Sequence, residues 1–419
     1  MKATDVFTPG KTPTVTFVDD HLVKRREYFQ DAIAQEGMLI NVSGPSKSGK
    51  TVFVRNMVGA ENLVAVTGAG VSTPSELWRR VFHQIGTPLP DSQATESNRQ
   101  VTIGASGKAG ANIFLAKGEA GASMTGSAGA KSVRSDALPL DELQLLIKEF
   151  SGSGMVLFID DFHYMSREVQ EHVARQIKEA IARGVIIVCA SVPYRSEDVL
   201  RANADLRGRI MSIDFDYWKQ QDLAKIAMLG FEQLNLDCPE AFVRSFAEEA
   251  AGSPQLMQSI CLNACFEGSF REKRPSRESM PTSVAFFTDV CTRTAINTDY
   301  SGTLEKLLEG PKTRGTERHQ YSLRDGAQGD VYTILLRAIA ASPPRLHFRY
   351  PDLQDRIRTI CSTQTPSGSS ITGSCVHVAQ LANDGQQMVI VEWDSTEDVL
   401  NLRDPYLLFY MRWSGMLPR

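Results

Sequence analysis

The chain has 419 residues, more than one ordinary domain holds and comfortable for two or three. Its composition, 42% hydrophobic and 22% charged, excludes a disordered chain, a collagen and a coiled-coil rod. With 45 basic against 49 acidic residues the net charge is −4, so any nucleic-acid contact must be local rather than driven by a basic field. The seven cysteines include no C-x-x-C pair and no spacing suited to zinc, and Cys189 sits in an apolar run; this pattern fits a reducing compartment. No apolar stretch approaches the roughly 18 residues of a membrane span. The opening residues lack a signal-peptide core. A soluble, cytoplasmic protein without membrane contact is expected.

Residues 1–22, with Pro9 and Pro13, read as an extended lead-in. Residues 23–36 carry Val23, Tyr28, Phe29, Ala32 and Ile33 on one helical face, and Gly37 ends that helix. Short apolar runs at 38–44, 63–68, 155–160 and 184–192 read as buried strands. Amphipathic stretches at 51–59, 74–86, 140–150 and 166–184 separate them. Strands alternating with helices predict an α/β core with a parallel sheet over residues 23–215. The Gly/Ala/Ser-rich insert at 103–130 breaks the rhythm. It reads either as a flexible loop or as a glycine-rich hairpin whose edge could meet a partner. Helical patterns at 217–235, 239–252 and 253–268 predict a helical lid over 216–267. Residues 268–329 read as a polar linker. Its basic stretch, Arg271, Lys273, Arg274 and Arg277, is either a solvated face or a nucleic-acid patch. From 330 to 419, three short helices and a β-like run at 388–394 outline a winged-helix-like domain. The aromatic series Tyr406, Phe409, Tyr410 and Trp413 has the spacing of a packed helix face.

The motif with the most chemistry is Gly44-Pro45-Ser46-Lys47-Ser48-Gly49-Lys50-Thr51. It matches G-x-x-x-x-G-K-[ST] between a strand and a helix, the context a phosphate loop requires. Gly44 and Gly49 permit backbone angles that a Cβ forbids. The N–H groups of Ser46, Lys47 and Ser48 would then converge on phosphate with the helix N-terminus behind them. Lys50 is the residue for the β- and γ-phosphates of ATP, and the Thr51 hydroxyl for Mg²⁺. The apolar run 155–159 ends in Asp160 and Asp161. Asp160 is the second metal residue, and Asp161 stands where a carboxylate would polarise the attacking water. Ser191, ending the last core strand, reads either as a γ-phosphate sensor or as a turn cap. Arg209, with Arg207 as second choice, is a candidate to reach a neighbouring subunit's phosphate; the alternative is a surface salt bridge.

Together these residues resemble the AAA+/STAND superclass of P-loop ATPases, and within it the archaeal-type ATPase and origin-recognition-like families. Their strand ending Asp-Glu-Phe-x-Tyr is matched by Asp160-Asp161-Phe162-His163-Tyr164. The lid Gly-x-Pro is matched by Gly252-Ser253-Pro254, and a terminal Asp-Pro-Tyr phrase by Asp404-Pro405-Tyr406. The resemblance implies ATP and Mg²⁺ as ligands, Pro254 at the nucleotide, assembly into a homo-oligomer and a C-terminal winged helix. Two departures stand out: Asp161 replaces the usual Glu and is one methylene shorter, and Gln255 after the lid motif is no sensor arginine.

The function expected is an ATP-binding switch ATPase that assembles with nucleotide and regulates a protein effector or a DNA-linked process. The resemblance class includes transposition, replication-initiation and bacterial immunity ATPases, and a defence or mobile-element setting is favoured. DNA contact would run through the winged helix or the basic linker. The competing readings are a non-hydrolysing nucleotide scaffold, favoured by the short Asp161, and a small-molecule phosphotransferase. The last leaves the helical tail without a purpose.

Overall fold

A computed structural model describes residues 1–89, 141–191, 206–312, 315, 317–386 and 389–417. The insert at 103–130 lies outside the described residues.

Five parallel strands form the central sheet: β1 (Leu39–Ser43), β2 (Leu63–Thr67), β3 (Val156–Asp160), β4 (Ile186–Ser191) and β5 (Ile210–Asp214), in the order β2-β3-β4-β1-β5. The register sets Ser43 beside Ser191 on one side and Asp214 on the other, and Thr67 beside Asp160. The chemistry-bearing strand ends therefore meet along one edge of the sheet. β1 is buried throughout and β3 to its last residue, as strands covered on both faces must be.

Among the described residues five helices cover the sheet, and three of them start at a residue whose side chain caps them. α1 is the single turn Ala3–Val6, and α2 (Val23–Ala34) and α3 (Lys50–Val58) cover one face. There Phe29 and Phe53 pack edge-on at 5.4 Å over Ile40, Val42 and Phe158. α4 (Pro74–Ile85), α5 (Glu142–Phe150) and α6 (Arg167–Ala182) cover the other face, around Trp78, Phe82, Phe150 and Ile177. Thr73, Asp141 and Ser166 each accept an early backbone N–H of the helix they precede.

A second core joins everything that remains. The lid comprises α7 (Gln220–Gln233), α8 (Glu240–Glu249) and α9 (Pro254–Glu267). The expected linker at 268–329 is more structured than its polarity suggested. It contains α10 (Val284–Ile296) and α11 (Ser301–Glu309), whose Phe286, Val290, Cys291, Leu304 and Leu307 are buried in this core. Few apolar residues suffice when each lies on the inner face. The basic stretch is largely occupied by its own chain: Arg274 pairs with Glu278 at 2.8 Å and Arg277 with Asp237 at 3.2 Å, while Arg271 lies over Phe266.

The C-terminal part runs α12 (Val331–Ala340), β6 (His347–Arg349), α13 (Tyr350–Ile360), α14 (Gly368–Asn383), β7 (Val391–Asp394), β8 (Val399–Leu402) and α15 (Pro405–Trp413). Its strands form an antiparallel sheet in the order β6-β8-β7. The aromatic series of α15 packs inward: Tyr406, Phe409 and Tyr410 are buried and Trp413 partly so. Arg412, 7% exposed, donates to both oxygens of Glu249 in α8 at 2.6 and 2.8 Å.

The lead-in is not a separate segment. Ala3, Val6 and Phe7 are fully buried against the lid, and the Phe7 ring meets Phe231 at 5.3 Å over Gly230, where any side chain would collide with it. Ala3 N–H donates to Arg271 O at 2.8 Å. No helix among the described residues is long and apolar enough to cross a membrane. Phe7→Ala should destabilise the protein by about 3–5 kcal/mol, the usual cost of emptying a buried aromatic site. Urea denaturation measures it; a loss within about 0.5 kcal/mol, the scale of a surface substitution, would mean the segment contributes no packing.

Candidate functional site

β1 delivers its chain into the loop that begins at Gly44, and two glycines there are required by geometry. A Cβ on Gly44 would lie 2.5 Å from the Phe215 Cβ and 2.7 Å from its carbonyl, because the exit of β5 presses on the loop from behind. Gly49 stands at the N-cap of α3 with φ +98°. Between them Lys47 adopts φ +63°. The loop is then fixed from outside. Gly44 N–H donates to Ser191 O at 3.2 Å, and the Trp218 indole N–H donates to Ser48 O at 2.9 Å.

The reactive ends of the two motifs come together. Thr51 Oγ1 donates to Asp160 Oδ2 at 2.6 Å, and Asp160 Oδ1 accepts the backbone N–H of Asp161 at 2.9 Å. A hydroxyl and a carboxylate side by side are the hard oxygen donors that Mg²⁺ takes, with water and phosphate completing its shell. Lys50 Nζ donates to the carbonyls of Gly44 and Pro45, both at 2.8 Å. Burial pulls its ammonium down to about 8, opposed by Asp160 and Asp161.

These groups line a cleft of about 440 Å³. Ser46, Lys47, Ser48, Gly49, Lys50 and Thr51 line it with Asp160 and Asp161. The Ser48 hydroxyl is buried there without a hydrogen-bond partner, and so is that of Thr8. Orphaned hydroxyls in a polar cleft are what a polyanionic ligand would satisfy. The same cleft is also lined by the apolar side chains of Val18, Leu22, Phe53 and Ile226. Pro254 borders the cleft at the first position of α9, where Ser253 accepts the Leu256 N–H. Gly252, before it, lets Tyr217 approach so closely that a Cβ would lie 2.5 Å from the Tyr217 Cβ.

Two candidate residues are placed apart from this cleft. Ser191 is 1% exposed, and its Oγ donates to Asn41 Oδ1 at 3.2 Å inside the sheet. Its carbonyl holds the loop by accepting the Gly44 N–H, while its hydroxyl is engaged with Asn41. The strand ending at Ser191 turns that side chain toward β1. Arg209 is exposed just before β5, and its carbonyl accepts the Leu39 N–H. In a parallel sheet this is the end opposite the phosphate loop, so Arg209 is out of reach of its own chain's cleft. His163 lines the cleft and lies against Tyr164 with ring centroids 4.6 Å apart.

Other cleft residues escaped the sequence reading. Residues 8–18 form a strap along it. Gln258 of the lid, 4% exposed, staples both ends of that strap: its Oε1 accepts Thr8 N–H at 3.2 Å and its Nε2 donates to Thr16 Oγ1 at 2.7 Å. Thr16 Oγ1 in turn donates to Val6 O at 3.0 Å. Trp218, which holds the loop, also stacks edge-on against His21 at 4.2 Å. The lone available signal for these residues was their polarity or aromaticity among apolar neighbours.

Burial first, and then the charge of Asp160, push Asp161 up from 3.8 to about 6, against the pull of Lys50. The folded protein therefore holds this proton more tightly than the unfolded chain. Stability from this group is present at low pH and lost as pH rises from about 4 to about 6. In magnesium-free buffer, the Tm advantage of Asp161→Asn over wild type should grow across that window and level off above it. A difference independent of pH would show that Asp161 titrates like an exposed carboxylate.

No family model matches the chain, and no curated protein does. Among solved structures it is similar to Cdc6p from Pyrobaculum aerophilum, at 11% identity over 99% of both chains and a TM-score of 0.44. It is similar also to the Walker-type ATPase PABY2304 of Pyrococcus abyssi, at 14% identity over 93% of this chain and 95% of that one, with a TM-score of 0.49. The ORC2 protein of Aeropyrum pernix, in complexes with ADPNP and ADP, gives 11% identity over 97% and 96% of the chains and a TM-score of 0.49. The chain's own sheet order and glycine loop carry its fold, an α/β P-loop NTPase core with a parallel sheet.

Proposed function

We propose that this chain is an ATP-binding switch that hydrolyses ATP slowly and assembles with nucleotide. The observation that carries the reading is the Thr51–Asp160 contact at 2.6 Å in the cleft that Lys50 also lines, together with apolar side chains. The triphosphate lies on the loop N–H groups and the α3 N-terminus, and the base lies between Val18, Leu22 and Ile226. Thr51 and Asp160 would hold Mg²⁺, which would neutralise charge on the phosphates. Lys50 leaves its two loop carbonyls for the phosphates. Asp161, ionised above about pH 6, accepts the proton of the attacking water. The strap and lid exclude bulk water from this cleft.

Arg209 faces away from its own cleft, and in an assembly of identical subunits we assign it to the neighbour's phosphate. Residues 330–419 are read as a winged-helix-like unit from their helix-strand-helix-helix-hairpin order. We assign that unit to a protein effector or to DNA, in preference to the basic stretch, whose Arg274 and Arg277 are already ion-paired. A cytoplasmic setting, in defence or in a mobile element, completes the proposal. The second reading, a non-hydrolysing scaffold, is favoured by the short side chain of Asp161.

Lys50→Ala should weaken Mg-ATP binding by about 10- to 100-fold, the worth of a charged hydrogen bond, in a calorimetric titration. Asp161→Asn should bind ATP as wild type does and lose about 10²–10⁴ in turnover. Unchanged affinity in the first variant would remove the phosphate site; absent turnover in wild type would select the scaffold. Arg209→Ala should keep ATP binding and lose about 10³-fold or more in turnover. Mixing it with Lys50→Ala protein should restore part of the activity, because one supplies the cleft and the other the arginine. A mixture that stays inactive, with Arg209→Ala still assembling, would return Arg209 to a surface role.

A further inference from the structure

The phosphate loop carries two lysines, and they are engaged differently. Lys50 folds back onto its own loop, whereas Lys47 reaches out of it to the C-terminal part of the chain. Lys47 Nζ lies 2.9 and 3.2 Å from the two oxygens of Asp404, and 4.1 Å from the centroid of the Tyr406 ring. The Asp404 side chain is 8% exposed. It also accepts the Tyr300 hydroxyl at 2.6 Å and the Tyr406 N–H at 2.9 Å, the second as cap of α15. One of the donors around this carboxylate is thus a phosphate-loop side chain, three residues before Lys50.

The surroundings make the contact a junction. Lys47 lines both the nucleotide cleft and a second, polar cavity of about 630 Å³, where Tyr300 and Tyr406 lie. The same terminal segment is held at two other points. The Tyr217 hydroxyl donates to Leu402 O and Arg403 O at 3.3 and 3.4 Å, and the Tyr406 hydroxyl lies 3.3 Å from that of Ser259 in the lid. The Lys47 side chain is 28% exposed, so the burial lies on the carboxylate side. A nearly buried carboxylate resists the loss of its cation, because it is left charged and poorly solvated. It releases readily only when a replacement charge is supplied at the same place. A polyphosphate arriving in the cleft that Lys47 lines is such a charge.

We propose that Asp404 competes with the terminal phosphate of a nucleoside triphosphate for the Lys47 ammonium. Asp404 is therefore a positioning residue through which the C-terminal part sets the affinity for triphosphate over diphosphate. This rests on the nucleotide-binding reading above. By linkage, whatever factor Asp404 takes from triphosphate binding, triphosphate takes from the attachment of the Asp404 segment. Diphosphate, lacking the outermost charge, leaves the pair intact.

The test titrates wild type, Asp404→Asn, Asp404→Glu, Lys47→Met and the Lys47→Met/Asp404→Asn double variant with Mg-ATP and Mg-ADP. Asp404→Asn should bind ATP about tenfold more tightly, within the usual range of such couplings, with its ADP affinity unchanged. Asp404→Glu should behave as wild type. In the Lys47→Met background, Asp404→Asn should have no effect. Hydrogen exchange over 399–413 gives a readout independent of affinity. ATP but not ADP should speed it in wild type, and neither should change it in Lys47→Met, where the segment is loose from the start. If Asp404→Asn fails to fold, the exchange comparison of wild type with Lys47→Met decides. Wild type that binds ATP with no change in exchange, or Asp404→Asn that binds ATP no tighter, overturns the competition and leaves the nucleotide reading standing. Wild type that binds neither nucleotide ends both.

Discussion

Everything at the cleft depends on holding the turn between Ser43 and Thr51 in one shape, although that turn buries little hydrocarbon of its own. Small residues give it the freedom to point N–H groups inward, and the same freedom would let it collapse. Its rigidity is borrowed. Phe215 presses on Gly44, Ser191 accepts the Gly44 N–H, Trp218 donates to Ser48 and Asp404 holds Lys47. These supports come from the sheet, the start of the lid and the last helix. The anion site is therefore a property of the whole chain, although the sequence that marks it is short.

That difference explains what could be read from sequence. The loop, Thr51 and Asp160 were legible because glycine geometry and metal chemistry demand specific residues at specific spacing. The parallel sheet was legible from apolar runs separated by amphipathic helices. Ser191 stayed open between two roles because a strand end fixes a residue's position along the sheet but not its face; here the hydroxyl turns to Asn41. Gln258, Trp218 and Tyr300 were illegible for another reason. Each acts on partners far away in sequence, and a lone polar or aromatic residue in a helical pattern carries no mark of them.

The stretch at 268–329 and the first residues of the chain teach a related point. Both looked peripheral by composition, yet Val290, Cys291 and Leu304 are fully buried, and so are Ala3, Val6 and Phe7. Average polarity measures how much of a segment faces water, while packing depends on where its few apolar residues point. The buried Arg412–Glu249 pair belongs to the same core, tying α15 to α8 with both carboxylate oxygens satisfied.

The strap along the cleft has a consequence for the order of folding. Phe7 rests on Phe231 and Gly230, and Thr8 and Thr16 are fastened by Gln258, all more than two hundred residues downstream. Phe7, Thr8 and Thr16 must therefore wait for the lid before they find their places. Contacts of such long sequence separation form late and slow the final steps of folding. The sheet shares this dependence, because Leu39 of β1 pairs with Ile187 of β4 on one side and Ile210 of β5 on the other. A newly made chain would thus have neither the anion-binding loop in its final shape nor the wall that encloses the rest of the ligand until the lid and the last helix have docked.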